Sequence, residues 1–122
     1  MFTARSDACA PADARRLAVD YLRAHCPAAD LEAVQIVLSE LVTNAVRHTA
    51  TGIWSLALLV ADGTLTLEVR DESPHVPRPR NTPPLDGHGG LGMGIVDRLA
   101  DDLALRVTET GKTITARWKL TR

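Results

Sequence analysis

The stretch ELVTNAVRH, residues 40–48, decides how this chain reads. It sits in the longest helical pattern of the sequence. Val34, Val37, Leu38, Leu41, Val42, Ala45 and Val46 recur at steps of three and four, which marks an amphipathic helix. Asp30 stands where an N-cap belongs, and Gly52 follows the end as a C′ glycine would. On a wheel of about 100° per residue, Glu40, Asn44 and His48 form a row along the edge of the apolar stripe. Polar groups at such an edge need partners, because unpaired desolvated groups are costly. Taken alone, the row reads as a solvated helix edge with a tertiary hydrogen bond. Ser39, Thr43 and Asn44 are mediocre helix formers, however, which favours a purpose beyond helix stability.

Outward from this helix the chain is orderly. Residues 1–10 are small and polar and read as a flexible arm. Pro11 suits a first helical position, and Ala14, Leu17, Ala18, Tyr21 and Leu22 predict a helix that ends before Pro27. IWSLALLV, residues 53–60, reads as a strand. The Asp62-Gly63 pair then predicts a hairpin turn into TLTLEVRD, residues 64–71. Leu65, Leu67, Val69 and Asp71 share one face of that strand. Residues 72–94 hold five of the seven prolines and five of the eight glycines, so a long loop is expected there. A short helix resumes at Ile95. A second hairpin follows, with Leu103, Leu105 and Val107 on one strand, a turn near Gly111, and Ile114, Ala116, Trp118 and Leu120 on the other. The order predicts an α/β (α+β) two-layer sandwich. Its sheet is mixed or largely antiparallel and covered on one face by helices.

Composition sets the outer bounds. With 122 residues, 45% hydrophobic and 24% charged, the chain suits one soluble domain. A net charge of −1 gives no general attraction to nucleic acid or to an anionic membrane. No apolar run reaches membrane-spanning length, and the N-terminus lacks a signal-peptide pattern, so a cytoplasmic protein is expected. Cys9 and Cys26 stand apart, with no metal-ligand spacing, and read as ordinary thiols.

Two further features fit a plain core poorly. Asp71 continues an apolar strand face, where a carboxylate serves either as a loop cap or as an acceptor for a ligand's amino group. GHGGLG, residues 87–92, matches a dinucleotide-binding pattern, but no strand precedes it. GKT, residues 111–113, has Arg106 where a P-loop needs its first glycine. What remains is Gly90, Gly92 and Gly94 opening a helix, either as a tether or as exposed amides suited to an anion.

In this order and spacing the motifs resemble the GHKL ATPases, the superfamily of gyrase, the heat-shock chaperone, histidine kinases and mismatch-repair ATPases. ELVTNAVRH resembles their N box, VRDES the first glycine box, GGLGMGIV the second, and GKTIT the final strand motif. The resemblance runs over nearly the whole chain from the first helix onward. It is strongest to the small single-domain branch of anti-sigma-factor serine kinases and related regulatory ATP-binding proteins. It implies the Bergerat ATP-binding fold over residues 11–122, with an ATP lid around 72–92.

The resemblance also implies roles. Asn44 would bind Mg²⁺ that bridges ATP phosphates. Glu40 would orient or deprotonate the attacking hydroxyl. Asp71 would accept a hydrogen bond from the adenine amino group. Gly90, Gly92 and Gly94 would let the lid backbone approach the phosphates, with Val76, Leu91 and Met93 alongside the nucleotide. Thr113, or Thr115 in its place, would support the adenine end, and Arg47 and His48 would reach phosphate or ribose. The implied partners are a sigma factor, an antagonist protein that accepts phosphate on serine, and a second copy in a homodimer. No nucleic acid or membrane is implied. The chain departs from the family's Asp-x-Gly-x-Gly, which here becomes Asp71-Glu72-Ser73-Pro74-His75. That departure keeps two alternatives open: a non-catalytic ATP-binding module, and a detached histidine-kinase catalytic domain acting in trans. No phospho-accepting histidine helix precedes the domain in this sequence, which counts against a complete histidine kinase.

Overall fold

A computed structural model describes residues 1–48, 51–72 and 91–120. The elements run β1 (Phe2–Arg5), α1 (Pro11–His25), α2 (Leu31–His48), β2 (Trp54–Ala61), β3 (Thr64–Asp71), α3 (Leu91–Leu99), β4 (Asp102–Val107) and β5 (Lys112–Lys119). The five strands form one sheet in the order β1-β2-β3-β5-β4, and every pairing among them is antiparallel. The expected two-layer α/β architecture is therefore present, with no parallel pair among the described strands.

Local chemistry explains most of the boundaries. Pro11 begins α1, where its missing N–H leaves no bond unmade. The Asp30 carboxylate accepts a hydrogen bond from the Ala33 amide at 3.2 Å and so caps α2. Asp62 and Gly63 both adopt positive φ, 54° and 70°, which is the geometry a tight antiparallel hairpin needs. Strand β5 lies between β3 and β4, so the second hairpin docks on the first through its later strand.

The core lies between the sheet and the helices. Strand residues Leu56, Leu58, Leu65, Leu67, Val69, Ile114 and Ala116 meet Val34, Val37, Leu38, Leu41, Val42 and Ala45 of α2. Helix α2 packs on β2 and β3 and against both other helices. The Trp118 indole N–H donates to the Leu99 carbonyl at 2.8 Å and ties the end of α3 to β5. Among the described residues no helix is long and apolar enough to cross a membrane.

Three expectations change. Part of the expected N-terminal arm is a strand, since Phe2–Arg5 pairs with β2 from Phe2↔Leu58 to Arg5↔Ser55. Phe2 and Ala4 pack against the core, and Ser6 exchanges bonds with Trp54. Two apolar side chains in four residues are too few to show a strand period. Helix α3 begins at Leu91 rather than Ile95, so Gly92 and Gly94 lie within it. Tertiary contact offsets the helix cost of these glycines, about 1 kcal/mol each; Val96 is wholly buried. Helix α2 is described as far as His48, residues 49–50 lie outside the described residues, and Gly52, at a φ of 77°, leads into β2. Val46, placed on the apolar stripe by spacing, is 42% exposed.

Leu41 is fully buried at the centre of this core. Leu41→Ala should lower unfolding stability by about 2–5 kcal/mol, through lost burial and the cavity left behind. Urea denaturation followed by far-UV circular dichroism measures this, and a loss under about 1 kcal/mol would contradict the packing described.

Candidate functional site

The candidate residues lie on α2, on α3, which packs against α2, and at the paired ends of β3 and β5. Helix α2 supplies Glu40 and Asn44 on successive turns. Both are half-buried, as a row on the border of the apolar stripe should be. Arg47 is exposed, and His48 is the last residue of the helix. Helix α3 packs against α2 and brings Gly92 and Gly94 to its first turns. A Cβ built on Gly94 would meet open space, so nothing in the described protein requires glycine there. Space beside a helix N-terminus is what an approaching anion needs. Val76 and Gly90 lie outside the described residues, and Leu91 and Met93 are placed only by their backbone in α3.

Asp71 ends β3 and is 3% exposed. It faces the helices, since it follows Leu65, Leu67 and Val69 at two-residue steps. Across the sheet it sits opposite Trp54 of β2 on one side and Lys112 of β5 on the other. The Lys112 ammonium donates to Asp71 Oδ2 at 2.7 Å, and Lys112 is itself only 1% exposed. Gly111 makes this approach possible. A Cβ there would run into the Asp71 carbonyl oxygen and come within 3.2 Å of Glu72 Cα. The Thr108 amide donates to the Gly111 carbonyl at 2.8 Å and closes the turn that feeds β5.

The threonines fall elsewhere. Thr113 pairs with Arg70 and Thr115 with Glu68, so both lie on the sheet face opposite Asp71. Lys112, not Thr113, is the β5 side chain that the structure brings to the carboxylate. A signal for it was present in the sequence: stepping back by twos from Trp118, Ala116 and Ile114 arrives at Lys112. That alternation was legible, but a lysine on an apolar row draws no attention until its partner is known.

A hollow of about 290 Å³ also touches Asp71. Its walls come from Arg5, Ser6, Trp54, Arg70 and Glu72, at the ends of β1, β2 and β3. Glu40 and Asn44 do not line it.

The donor set suits one kind of metal. Among the described residues no three His, Cys, Asp or Glu side chains gather to hold an ion by themselves. A half-buried amide oxygen at Asn44 with one carboxylate a turn away suits a hard cation that takes most of its oxygens from phosphate and water.

The buried pair has a stability consequence. Desolvating both ions costs about as much as their attraction returns, whereas removing one partner leaves an uncompensated buried charge. Lys112→Met should therefore lose about 3–5 kcal/mol of unfolding free energy, and adding Asp71→Leu should recover most of it. A double-mutant cycle by urea unfolding tests this; equal losses in the single and double variants would sink the idea.

Comparison with known proteins gives a family. The Histidine kinase-like ATPase domain matches residues 2–118. Among solved structures, the histidine kinase domain from the Erythrobacter litoralis EL346 blue-light activated histidine kinase is similar, with a TM-score of 0.59 and 24% sequence identity. The similarity covers 74% of this chain and 44% of that one, and at this identity it speaks for the fold alone. No curated protein matches the chain.

Proposed function

The chain belongs to the Histidine kinase-like ATPase domain family, and from that premise we propose that it is a Mg²⁺- and ATP-dependent regulatory protein kinase that phosphorylates serine on an antagonist protein and binds a sigma factor. The family membership supports ATP binding within a regulatory module. The observation that carries the finer reading is the Glu40–Asn44 pair: two half-buried oxygen-bearing side chains one turn apart on α2, the helix against which α3 packs.

In this reading the adenine amino group donates to Asp71, and the exposed backbone at Gly94 faces the phosphates. The Asn44 amide oxygen holds Mg²⁺, which neutralises charge on the phosphate oxygens when bound. Glu40 accepts the proton of the serine hydroxyl as that oxygen attacks the γ-phosphorus. The bond to the bridging oxygen breaks and ADP departs. Little covalent chemistry falls to the protein, whose part is positioning and charge stabilisation. Arg47 and His48, at the end of the same helix, supply charge and hydrogen bonds toward phosphate or ribose.

Calorimetry with ATP tests the binding half. Asn44→Ala should weaken Mg·ATP by about tenfold or more, with a much smaller effect in the presence of chelator; a hydrogen bond or ligand to a charged group is worth about 1.5–3 kcal/mol. Absence of ATP binding by the wild-type protein at millimolar nucleotide would end the proposal. For the transfer half, labelled ATP is incubated with candidate antagonist proteins. Glu40→Ala should abolish acid-stable serine labelling and leave ATP affinity nearly unchanged. Binding without any labelling would leave a non-catalytic ATP module, and an acid-labile product would point to a histidine acceptor instead.

Gly94 gives an independent readout. Gly94→Ala should raise thermal stability, by about 0.5–1 kcal/mol, because alanine is the better helix former and its Cβ meets no atom. The same substitution should weaken ATP binding if the backbone there contacts phosphate. A variant that gains stability and keeps full affinity removes Gly94 from the site.

A further inference from the structure

We infer that Lys112 is a positioning residue that sets base selectivity: its ammonium fixes the Asp71 carboxylate as an acceptor for a 6-amino purine. The inference rests on the ATP reading above and deepens it. Three observations converge. Lys112 and Asp71 are the two buried charged side chains among the described residues, and they are joined at 2.7 Å. They are direct cross-strand partners, so the two backbones hold both side chains in register. Gly111 allows that register, because a side chain there would strike the Asp71 carbonyl.

Stability does not account for such a pair. Well-packed apolar residues would serve the fold equally well or better. Recognition does account for it. A carboxylate removed from water needs a compensating charge, and a bidentate-capable acceptor needs its plane set. Lys112 does both from the strand, on a rigid element rather than a loop. The pairing also holds the ammonium on Oδ2 through one of its three N–H donors. An unpaired ammonium at this place could donate to the 6-oxygen of guanine or hypoxanthine; held on Oδ2, it is turned toward the carboxylate. The pair thus favours a donor at position 6 of the purine and disfavours an acceptor, and selectivity of that kind is strong when the alternative leaves a buried polar group unpaired.

The test compares ATP with purine riboside triphosphate, which lacks the 6-amino group, by calorimetry on wild-type protein and Lys112→Gln. Wild type should prefer ATP by about tenfold or more, the fold-change expected for one hydrogen bond to a charged acceptor. Lys112→Gln should lose most of that preference, mainly through weaker ATP binding. Loss of affinity for both nucleotides in step, with the preference intact, would overturn the inference and leave Lys112 a structural role only. If Lys112→Gln shows no cooperative melt, the wild-type protein carries the test. The chain has only two lysines, Lys112 and Lys119, so ¹⁵N-lysine labelling resolves the Lys112 ammonium. ATP should shift its resonance clearly more than the purine analogue does; equal shifts overturn the inference. Wild type that binds neither nucleotide removes the ATP reading itself, whereas wild type that binds both equally removes only the selectivity assigned here.

Discussion

The contact between Lys112 and Asp71 is the constraint around which this small domain is arranged. Two opposite charges, both nearly withdrawn from water, meet across adjacent strands at the end of the sheet. Burial of that kind is tolerated only when geometry is fixed on both sides. Here the fixing comes from the β3–β5 ladder, from the turn at Thr108–Gly111, and from a glycine with no room for a side chain. The apolar layer beneath makes the site dry enough for the charges to matter. Leu67 and Val69 on β3, Ile114 on β5 and Leu38 and Leu41 on α2 pack below it.

The helices contribute a different kind of chemistry. Asp71 and Lys112 belong to the rigid sheet, whereas Glu40, Asn44 and Gly94 belong to helices that pack against one another over it. The division separates tasks. The sheet end presents a fixed acceptor suited to a planar base, and the helix edges present oxygens and backbone suited to phosphate and metal. In the proposed reading, a ligand with a base at one end and phosphates at the other would span both layers.

Much of this was legible in the sequence because its signals are local. The stripe on α2, the Asp30 cap and the Asp62-Gly63 turn each depend on residues within one or two turns of chain, and each is found as expected apart from the exposed Val46. The alternation Leu65, Leu67, Val69, Asp71 placed the carboxylate on the inner face correctly. What stayed hidden depends on pairing between distant strands. Strand β1 owes its existence to β2, not to its own four residues. Lys112 owes its burial to Asp71, and Thr113 its outward face to the register with Arg70. Register is a tertiary property, and a shift of one residue exchanges the two faces. The start of α3 was hidden for a related reason: its glycines discourage helix, and only packing against α2 overrules them.

The placement of β5 between β3 and β4 reaches beyond the static site. Asp71 and Lys112 are 41 positions apart, so their meeting closes a long excursion of chain and belongs to the slow, non-local part of folding. The hairpin β2–β3 can form from neighbouring residues, but it does not contain the Lys112 ammonium. The Asp71–Lys112 pair therefore comes into being only when β3 and β5 have joined. A nucleotide bound there is coupled to the global unfolding transition rather than to local fraying, so saturation with ligand would raise the stability of the entire domain by mass action. Binding at that end would report that β5 is in place beside β3.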